Sequence, residues 1–276
     1  TFEINVSGLH GGHSGAEIHK GYANANKVMG KVLSMLSETS EYLICDICGG
    51  LMDNAITRDS KCIVASDADI CKAVELISER IIKDYVSADP DIRISAVMCD
   101  KSKKSMSEDS TKAVISLLND LPSGVVAMSK EIDGLVETSL NLGILEHGNG
   151  NVSFRFAVRS GVDSERDKLA ANLEIIAKKY LCNITFRSKY PAWEYRKESA
   201  LRETMAKIYR DIYGKDMTVT AIHAGLECGL FCGKIQGLDC VSLGSTMFDM
   251  HTPKERLSIS SCERVWKYLL AVLEKI

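Results

Sequence analysis

The chain has 276 residues, of which 45% are hydrophobic and 26% charged, and its formal net charge is -3. Such a composition is ordinary for a soluble globular protein of one or two domains. The small net charge gives no electrostatic reason to expect nucleic acid or an anionic membrane as a partner. No apolar run approaches the roughly 20 residues that span a bilayer, so we expect no membrane-spanning helix.

The first hundred residues predict a β-α-β-β-α-β unit. A strand over residues 1–8 precedes a helix, and the strands EYLICDI and CIVAS follow around the turn GGLMDN. Asp67 is expected to cap the next helix, because it stands just before an apolar face of 3.6-residue period. That face consists of Ile70, Val74, Ile77 and Ile81. The strand IRISAVMC closes the unit.

The next ninety residues predict a second unit of the same domain. A helix at about 108–120 precedes the alternating runs VETSLNLGIL and NVSFRFAV, joined by the hairpin-like EHGNGN. Asp163 or Ser164 is expected to cap a further helix, and NITFRS to form the returning strand. Residues 1–189 are therefore predicted to be an α+β domain, an antiparallel sheet with helices on one face.

Residues 190–276 have a different pattern. A helix ending at Gly214 is followed by the strand MTVTAIH, a helix at about 226–234, the strand DCVSLGS and a final helix from about 261. Ser260 and Glu263 predict a capping box for the final helix. The alternation favours a parallel α/β layer, but two strands cannot bury their own faces. This segment therefore indicates part of a domain, and a first residue Thr1 inside a strand pattern predicts a chain cut from a longer one.

Ten cysteines are scattered along the chain, mostly in apolar stretches. A thiol in such a stretch behaves as a small buried hydrophobe, which favours a reducing cytosol over a disulfide framework. Cys45 and Cys48 form a C-x-x-C, which is also typical of redox or zinc chemistry. Their strand-like context favours a structural role, and a thiol-redox protein remains an alternative.

Residues 8–15, GLHGGHSG, place His10 and His13 among four glycines. The pattern is compatible with a metal site, an anion cradle or a turn. Because two histidines three apart in a glycine-rich turn do not make a full ligand set, a metal site is the less favoured of these.

The segment IHAGLECGL indicates a strand that gives way to a helix, with Gly225 and Glu227 at the helix N-terminus. Such ends bind anions, although plain capping explains the pattern equally well. His251 follows the other predicted strand and is either a metal ligand or an ordinary loop histidine. Arg159, near a strand end, is either a solvent-exposed surface residue or a residue that binds a carboxylate through two N–H groups.

Taken together, these segments resemble one family. The segments GLHGGHSG, GGLMDNAITRDS, TSLNLG, AVRSGVDSERD, YPAW, IHAGLECGLF and SLGSTMFDMHTPKERLSI occur in this order. They resemble the aminoacyl-histidine dipeptidases (Xaa-His dipeptidases, carnosinase-like), which are di-zinc metallopeptidases. The resemblance covers essentially the whole chain. It implies a lid domain of the dimerisation type for 1–189 and the C-terminal portion of the catalytic α/β domain for 190–276.

The resemblance also implies roles for residues of the lid domain. His13 matches the lid histidine that polarises the scissile carbonyl and stabilises its oxyanion. Asn54 matches an asparagine that contacts the same region of the substrate, although Thr57 stands where the family has proline. Arg159 matches the arginine that engages the substrate carboxylate.

In the second segment, Gly225 and Glu227 match the helix start that lines the substrate, and His251 matches the last zinc ligand. Tyr190 stands where some carboxypeptidase relatives have an arginine, which indicates that a different substrate end is recognised there.

The chemistry that the resemblance implies is hydrolysis of a dipeptide by water shared between two zinc ions, assisted by a general-base carboxylate. Other divalent metals would also serve. The family takes most zinc ligands from an H-x-D motif and a Glu-Glu pair, and neither occurs in this sequence. We therefore expect this polypeptide, by itself, to be inactive. Homodimerisation through the lid is expected, and a non-catalytic binding or dimerisation module derived from the family is the alternative.

Overall fold

The structure is a computed structural model that describes residues 1–100, 104–223, 226–248 and 255–276. These residues form two compact units. The first contains Thr1–Arg187 together with Ile222 and His223, and the second contains Ser188–Ala221 and the described residues of Gly225–Ile276. Among the described helices, none has the length and apolar character needed to cross a membrane.

Seven strands of the first unit form one sheet. They are β1 (Phe2–Ser7), β2 (Leu43–Gly49), β3 (Ser60–Ala65), β4 (Arg93–Met98), β5 (Gly124–Met128), β6 (Val136–Gly148) and β7 (Asn151–Ser160). The order is β4-β1-β3-β2-β6-β5, with β7 also paired to β6, and every pairing is antiparallel. The predicted antiparallel sheet is thus confirmed. Strand β5 was not predicted, because its residues are mostly exposed and show no alternation of apolar and polar side chains.

Four helices accompany this sheet, namely α1 (Ala25–Ser37), α2 (Ile70–Tyr85), α3 (Glu108–Asp120) and α4 (Asp163–Lys179). The apolar face of α1, with Val28 and Val32 fully buried, packs in one core with Ile4 of β1 and Val64 of β3. Burial of each such side chain stabilises the fold by about 1.5–3 kcal/mol. Helix α4 packs on β7 through Leu169 and Leu173 of a second cluster.

Two predicted caps in this unit are wrong. The side chain that caps α2 is Asp69, which accepts a hydrogen bond from the third helical N–H. A cap must directly precede the first helical residue, and Asp67 stands too early. Helix α4 begins at Asp163 itself, after Val162, which makes no side-chain cap. Asp163 and Ser164 therefore lie in the first turn, where the negative charge of Asp163 interacts favourably with the helix dipole.

The second unit contains α5 (Ala200–Tyr213), α6 (Glu227–Lys234), α7 (Ile259–Leu273) and the two-residue strands β8 (Met247–Phe248) and β9 (Arg256–Leu257), which pair antiparallel. Helices α5 and α7 pack through Met205, Tyr268 and Val272, and the Tyr268 hydroxyl donates to the Met205 carbonyl at 2.7 Å. As predicted, α5 ends at Gly214, which adopts a φ of 66°.

Other expectations are wrong, one at the end of the first segment and the rest in the second. The runs NITFRS, MTVTAIH and DCVSLGS are not strands, and the described residues of 190–276 contain no parallel layer. Strand propensity forms a strand only where a neighbouring strand supplies hydrogen bonds, and no described strand pairs with these runs. The Ser260–Glu263 capping box is also absent, because α7 begins earlier, at Ile259 after Ser258.

Candidate functional site

The GLHGGHSG segment pairs with the loop that carries Asn54. The Ser14 N–H donates to the Asn54 carbonyl at 2.9 Å, and the Ile56 N–H donates to the Gly12 carbonyl at 2.8 Å. These two bonds run on either side of His13, which forms an isolated antiparallel bridge with the facing segment. The backbone therefore brings His13 and Asn54 side by side.

The fold of its own loop determines the tautomer of His13. Its Nδ1 accepts hydrogen bonds from the N–H groups of Gly15 at 3.2 Å and Ala16 at 3.1 Å. A ring nitrogen that accepts carries no proton, so the neutral imidazole is protonated at Nε2. The His13 N–H donates to Glu17 at 2.9 Å, and the hydrogen bond from Lys20 lowers the pKa of that carboxyl. His13 is thus held as an Nε2–H donor.

The side chains of His13 and Arg159 and the backbone carbonyl of His223 meet around Gly15. A methyl group at Gly15 would lie 2.8 Å from the His223 carbonyl oxygen, 3.0 Å from Cε1 of His13 and 3.3 Å from Cζ of Arg159. The β6–β7 register sets Ser139 opposite Arg159, and the Ser139 hydroxyl lies 2.7 Å from Nε2 of His223. Since these contacts leave no room for a side chain, position 15 requires glycine.

The positive charge of the Arg159 guanidinium makes this cluster suitable for an anionic group. The Nε of Arg159 is buried and has no hydrogen-bond partner among the described residues. Burial, with the Arg159 charge as the smaller cause, lowers the pKa of His223 from 6.5 to about 4. His223 is therefore neutral at pH 7, and the guanidinium is the positive charge next to it. A guanidinium with an unsatisfied N–H matches the geometry of a carboxylate.

We expect the His223 imidazole, followed by NMR as pH is lowered, to titrate with a pKa near 4. Replacing Arg159 with methionine should raise this pKa while leaving it below 6.5, because burial remains. Between pH 6.5 and 4 the unfolded chain binds a proton that folded His223 does not, so His223 lowers stability progressively as pH falls through this range. An unperturbed His223 pKa would contradict this description of the cluster.

The buried side-chain amide of Asn141 holds the turn that carries Asn54. Asn141 is 1% exposed, and its Nδ2 donates to the carbonyls of Asp53 at 2.9 Å and Ala55 at 2.8 Å. Its Oδ1 accepts from the Asn24 amide at 3.2 Å. The carbonyls of both residues that flank Asn54 are therefore anchored to β6, and the Asn54 side chain is half-buried.

Thr57, where the family has proline, is integrated into the same region. Its hydroxyl lies 3.0 Å from both the Leu142 and the Gly143 carbonyl oxygens and accepts from the Asn26 amide at 3.3 Å. The side chain is 2% exposed. The threonine thus ties the end of the Asn54 loop to β6 by hydrogen bonds.

Thr57→Val should lower the free energy of unfolding by about 1–3 kcal/mol, because buried carbonyls lose their donor. Urea unfolding of the purified chain measures this. Thr39→Val is the matched control, since the Thr39 hydroxyl bonds the Leu36 carbonyl at 3.3 Å on an exposed residue. Equal effects of the two substitutions would show that the Thr57 hydroxyl has no special role.

The remaining predicted residues are Glu227, Gly225 and His251. Glu227 is exposed and opens α6 in the second unit, while Gly225 and His251 lie outside the described residues. Within the described ranges, no group of three or more His, Cys, Asp or Glu side chains is arranged to hold a metal ion. The described residues by themselves thus bring together no zinc site, and zinc remains an expectation from the resemblance.

Sequence reasoning assigned no role to Ser139, Asn141 or His223. The available clue was in TSLNLG, where Ser139 and Asn141 are polar residues two apart in an otherwise apolar strand. Both are buried in β6. Polar groups buried in a strand need specific partners, which marks such positions for attention.

No protein-family model matches this chain. It is 32% identical over 280 residues to the cytosol non-specific dipeptidase of Escherichia coli K12. The crystal structure of aminoacylhistidine dipeptidase from Vibrio alginolyticus superposes with a TM-score of 0.90 and 32% identity. Over its whole length, the chain is thus similar to part of each of these two dipeptidases. Both matches cover all of this chain, which spans 58% of the E. coli relative and 57% of the V. alginolyticus one.

Proposed function

We propose that this chain supplies the substrate-binding and oxyanion-stabilising side of a dipeptidase active site. The observation that carries the proposal is the meeting of His13, Arg159 and His223 around Gly15. The dipeptide substrate is supported by the printed names of the two relatives. The preference for Xaa-His dipeptides rests on the resemblance and on the name of the V. alginolyticus relative.

Arg159 binds the terminal carboxylate of the dipeptide in this proposal. A carboxylate placed beside the guanidinium satisfies the buried Nε, which has no partner among the described residues. Hydrogen bonds between two charged groups are roughly twice as strong as neutral ones. Neutral His223, oriented by its hydrogen bond with Ser139, borders the same space without adding a second positive charge.

His13 acts on the scissile peptide bond itself. Its Nε2–H donates to the scissile carbonyl oxygen, and the bond strengthens as that oxygen becomes negative in the tetrahedral state. A donor held in place beforehand favours the transition state over the bound substrate. From the resemblance alone, Asn54 is proposed as a second contact to the same region, and Gly225 and Glu227 are proposed as residues that line the substrate.

The activation of water belongs to residues outside this cluster. Zinc bound with His251 as one ligand would lower the pKa of a water molecule and so create the nucleophile. The sequence holds neither the H-x-D motif nor the Glu-Glu pair of the family. A single histidine binds zinc weakly, so this polypeptide is expected to need a complementary polypeptide segment for turnover.

Separate observations support the proposed homodimer and the proposed cytosolic location. Strand β4 lies at the end of the sheet order, and Val97 and Met98 on it are 51% and 74% exposed. A sheet edge on which no further described strand pairs supports a homodimer in which two sheets join across a twofold axis. A cytosolic location is supported by the ten cysteines, which are thiols, and by the name of the E. coli relative.

A chimaera tests the proposal. This chain replaces the aligned 280 residues of the E. coli dipeptidase, so the rest of that relative completes the molecule. We expect hydrolysis of Xaa-His dipeptides after addition of zinc. A folded, metal-loaded chimaera with no dipeptidase activity would favour the non-catalytic binding or dimerisation module instead.

A further inference from the structure

We propose that Asp89 is a positioning residue that orients His13 by holding both ends of the loop from His10 to Ala23. The inference rests on the proposed role of His13, but it concerns a residue in a distant part of the sequence. Asp89 lies between α2 and β4, and no motif considered above includes it.

One buried carboxylate makes both attachments. Asp89 is 0% exposed. Its Oδ1 accepts from the His10 N–H at 2.7 Å and lies 3.1 Å from Nδ1 of the His10 ring, and its Oδ2 accepts from the Ala23 N–H at 2.7 Å. His10 stands before His13 and Ala23 stands after it, so the two oxygens fix the start and the end of the loop.

A continuous set of contacts then leads from Asp89 to His13. The His10 ring stacks on Tyr22, with centroids 4.8 Å apart and an 8° angle between planes. Lys20 lies over the Tyr22 ring at 5.7 Å and binds Glu17 at 2.7 Å. Glu17 in turn accepts the His13 N–H. The loop is thus internally connected, and its ends are held by one side chain.

The need for such an anchor comes from the loop sequence. Gly11 and Gly12 adopt φ values of 70° and 120°, which only glycine adopts readily. Glycine backbones have many conformations of similar energy, so the glycines alone do not select the one that holds Nδ1 of His13 against two N–H groups. Contacts at the loop ends must make that selection.

The test substitutes Asp89 with asparagine in this chain. An amide has one oxygen and cannot accept at both positions. The readouts are the NMR shifts of the His13 ring nitrogens, which report its tautomer, and hydrogen exchange at Gly15 and Ala16. We expect the His13 shifts to move toward a mixture of tautomers and exchange at both N–H groups to rise about tenfold.

Asp46→Asn is the matched control. Asp46 pairs with His147 at the same Nδ1–Oδ1 distance, 3.1 Å, but joins two strands instead of the loop. It should leave the His13 shifts unchanged. If Asp89→Asn fails to fold, His10→Ala removes the ring contact and keeps the backbone bond, and a smaller change in the same direction is expected.

The proposal would be overturned if Asp89→Asn folds with unchanged His13 ring-nitrogen shifts and unchanged hydrogen exchange at Gly15 and Ala16. If Asp89→Asn does not fold, the same unchanged values in His10→Ala would overturn it. A change equal to that caused by Asp46→Asn would overturn it as well. These readouts need no substrate. Failure of the proposed function would appear separately, as undiminished turnover when His13 itself is replaced in the chimaera.

Discussion

Replacing His13 with alanine in the dipeptidase chimaera should lower kcat by about 10²–10³-fold, the usual effect of removing one oxyanion donor. The reason is the tautomer. Because Nδ1 is occupied by the Gly15 and Ala16 N–H groups, the ring proton is on Nε2 and is directed by the loop fold. KM should change much less, since the donor acts mainly on charge that develops in the transition state.

Zinc content and a control variant distinguish oxyanion stabilisation by His13 from metal binding by His13. Zinc content of the His13→Ala chimaera should equal that of the parent chimaera, and a loss of zinc would instead make His13 a metal ligand. His19→Ala is the control, because His19 lies in the same loop but is exposed. It should retain full kcat.

Replacing Arg159 with methionine in the chimaera should weaken dipeptide binding by about 10–150-fold, which corresponds to the 1.5–3 kcal/mol of a hydrogen bond to a charged group. The loss should appear in KM or in inhibitor affinity. Arg159→Lys should not restore binding, since an ammonium cannot reproduce the two parallel N–H donors of guanidinium.

The substrate itself supplies the sharpest control for Arg159. A dipeptide amide has no terminal carboxylate, so the Arg159→Met substitution should affect its hydrolysis little. Arg155→Met is the matched protein control. Arg155 lies four residues earlier on β7, is 59% exposed in its side chain and pairs with Glu146 at 3.0 Å. Equal losses with the dipeptide and its amide would mean that Arg159 only supports the fold.

Local patterns predicted most helices and strands of the first unit, apart from β5 and the run NITFRS, and predicted the helices but not the strands of the second unit. Helix α1 follows from apolar residues such as Val28 and Val32, which recur at helical spacing and are buried together. The β6–β7 hairpin follows from the glycine- and asparagine-rich turn between its strands. The runs MTVTAIH and DCVSLGS have the same local composition as strands but do not form them, because strand formation depends on a partner that local sequence does not specify.

Local sequence patterns also predict only part of the candidate site. His13, Asn54 and Arg159 stand in recognisable motifs, whereas the contact of Ser139 with His223 joins residues 84 apart in the sequence. It depends on the register that sets Ser139 opposite Arg159. No spacing rule connects those positions, and Asp89 is likewise joined to the His13 loop only by the fold.

The most direct test of the central claim compares two purified proteins with zinc and an Xaa-His dipeptide. This chain alone should show no turnover, because its sequence holds neither the H-x-D motif nor the Glu-Glu pair that the resemblance implies as zinc ligands. The chimaera with the E. coli dipeptidase should hydrolyse the dipeptide and lose that activity with His13→Ala. Robust hydrolysis by the chain alone, or a chimaera whose activity is indifferent to His13, would contradict the account.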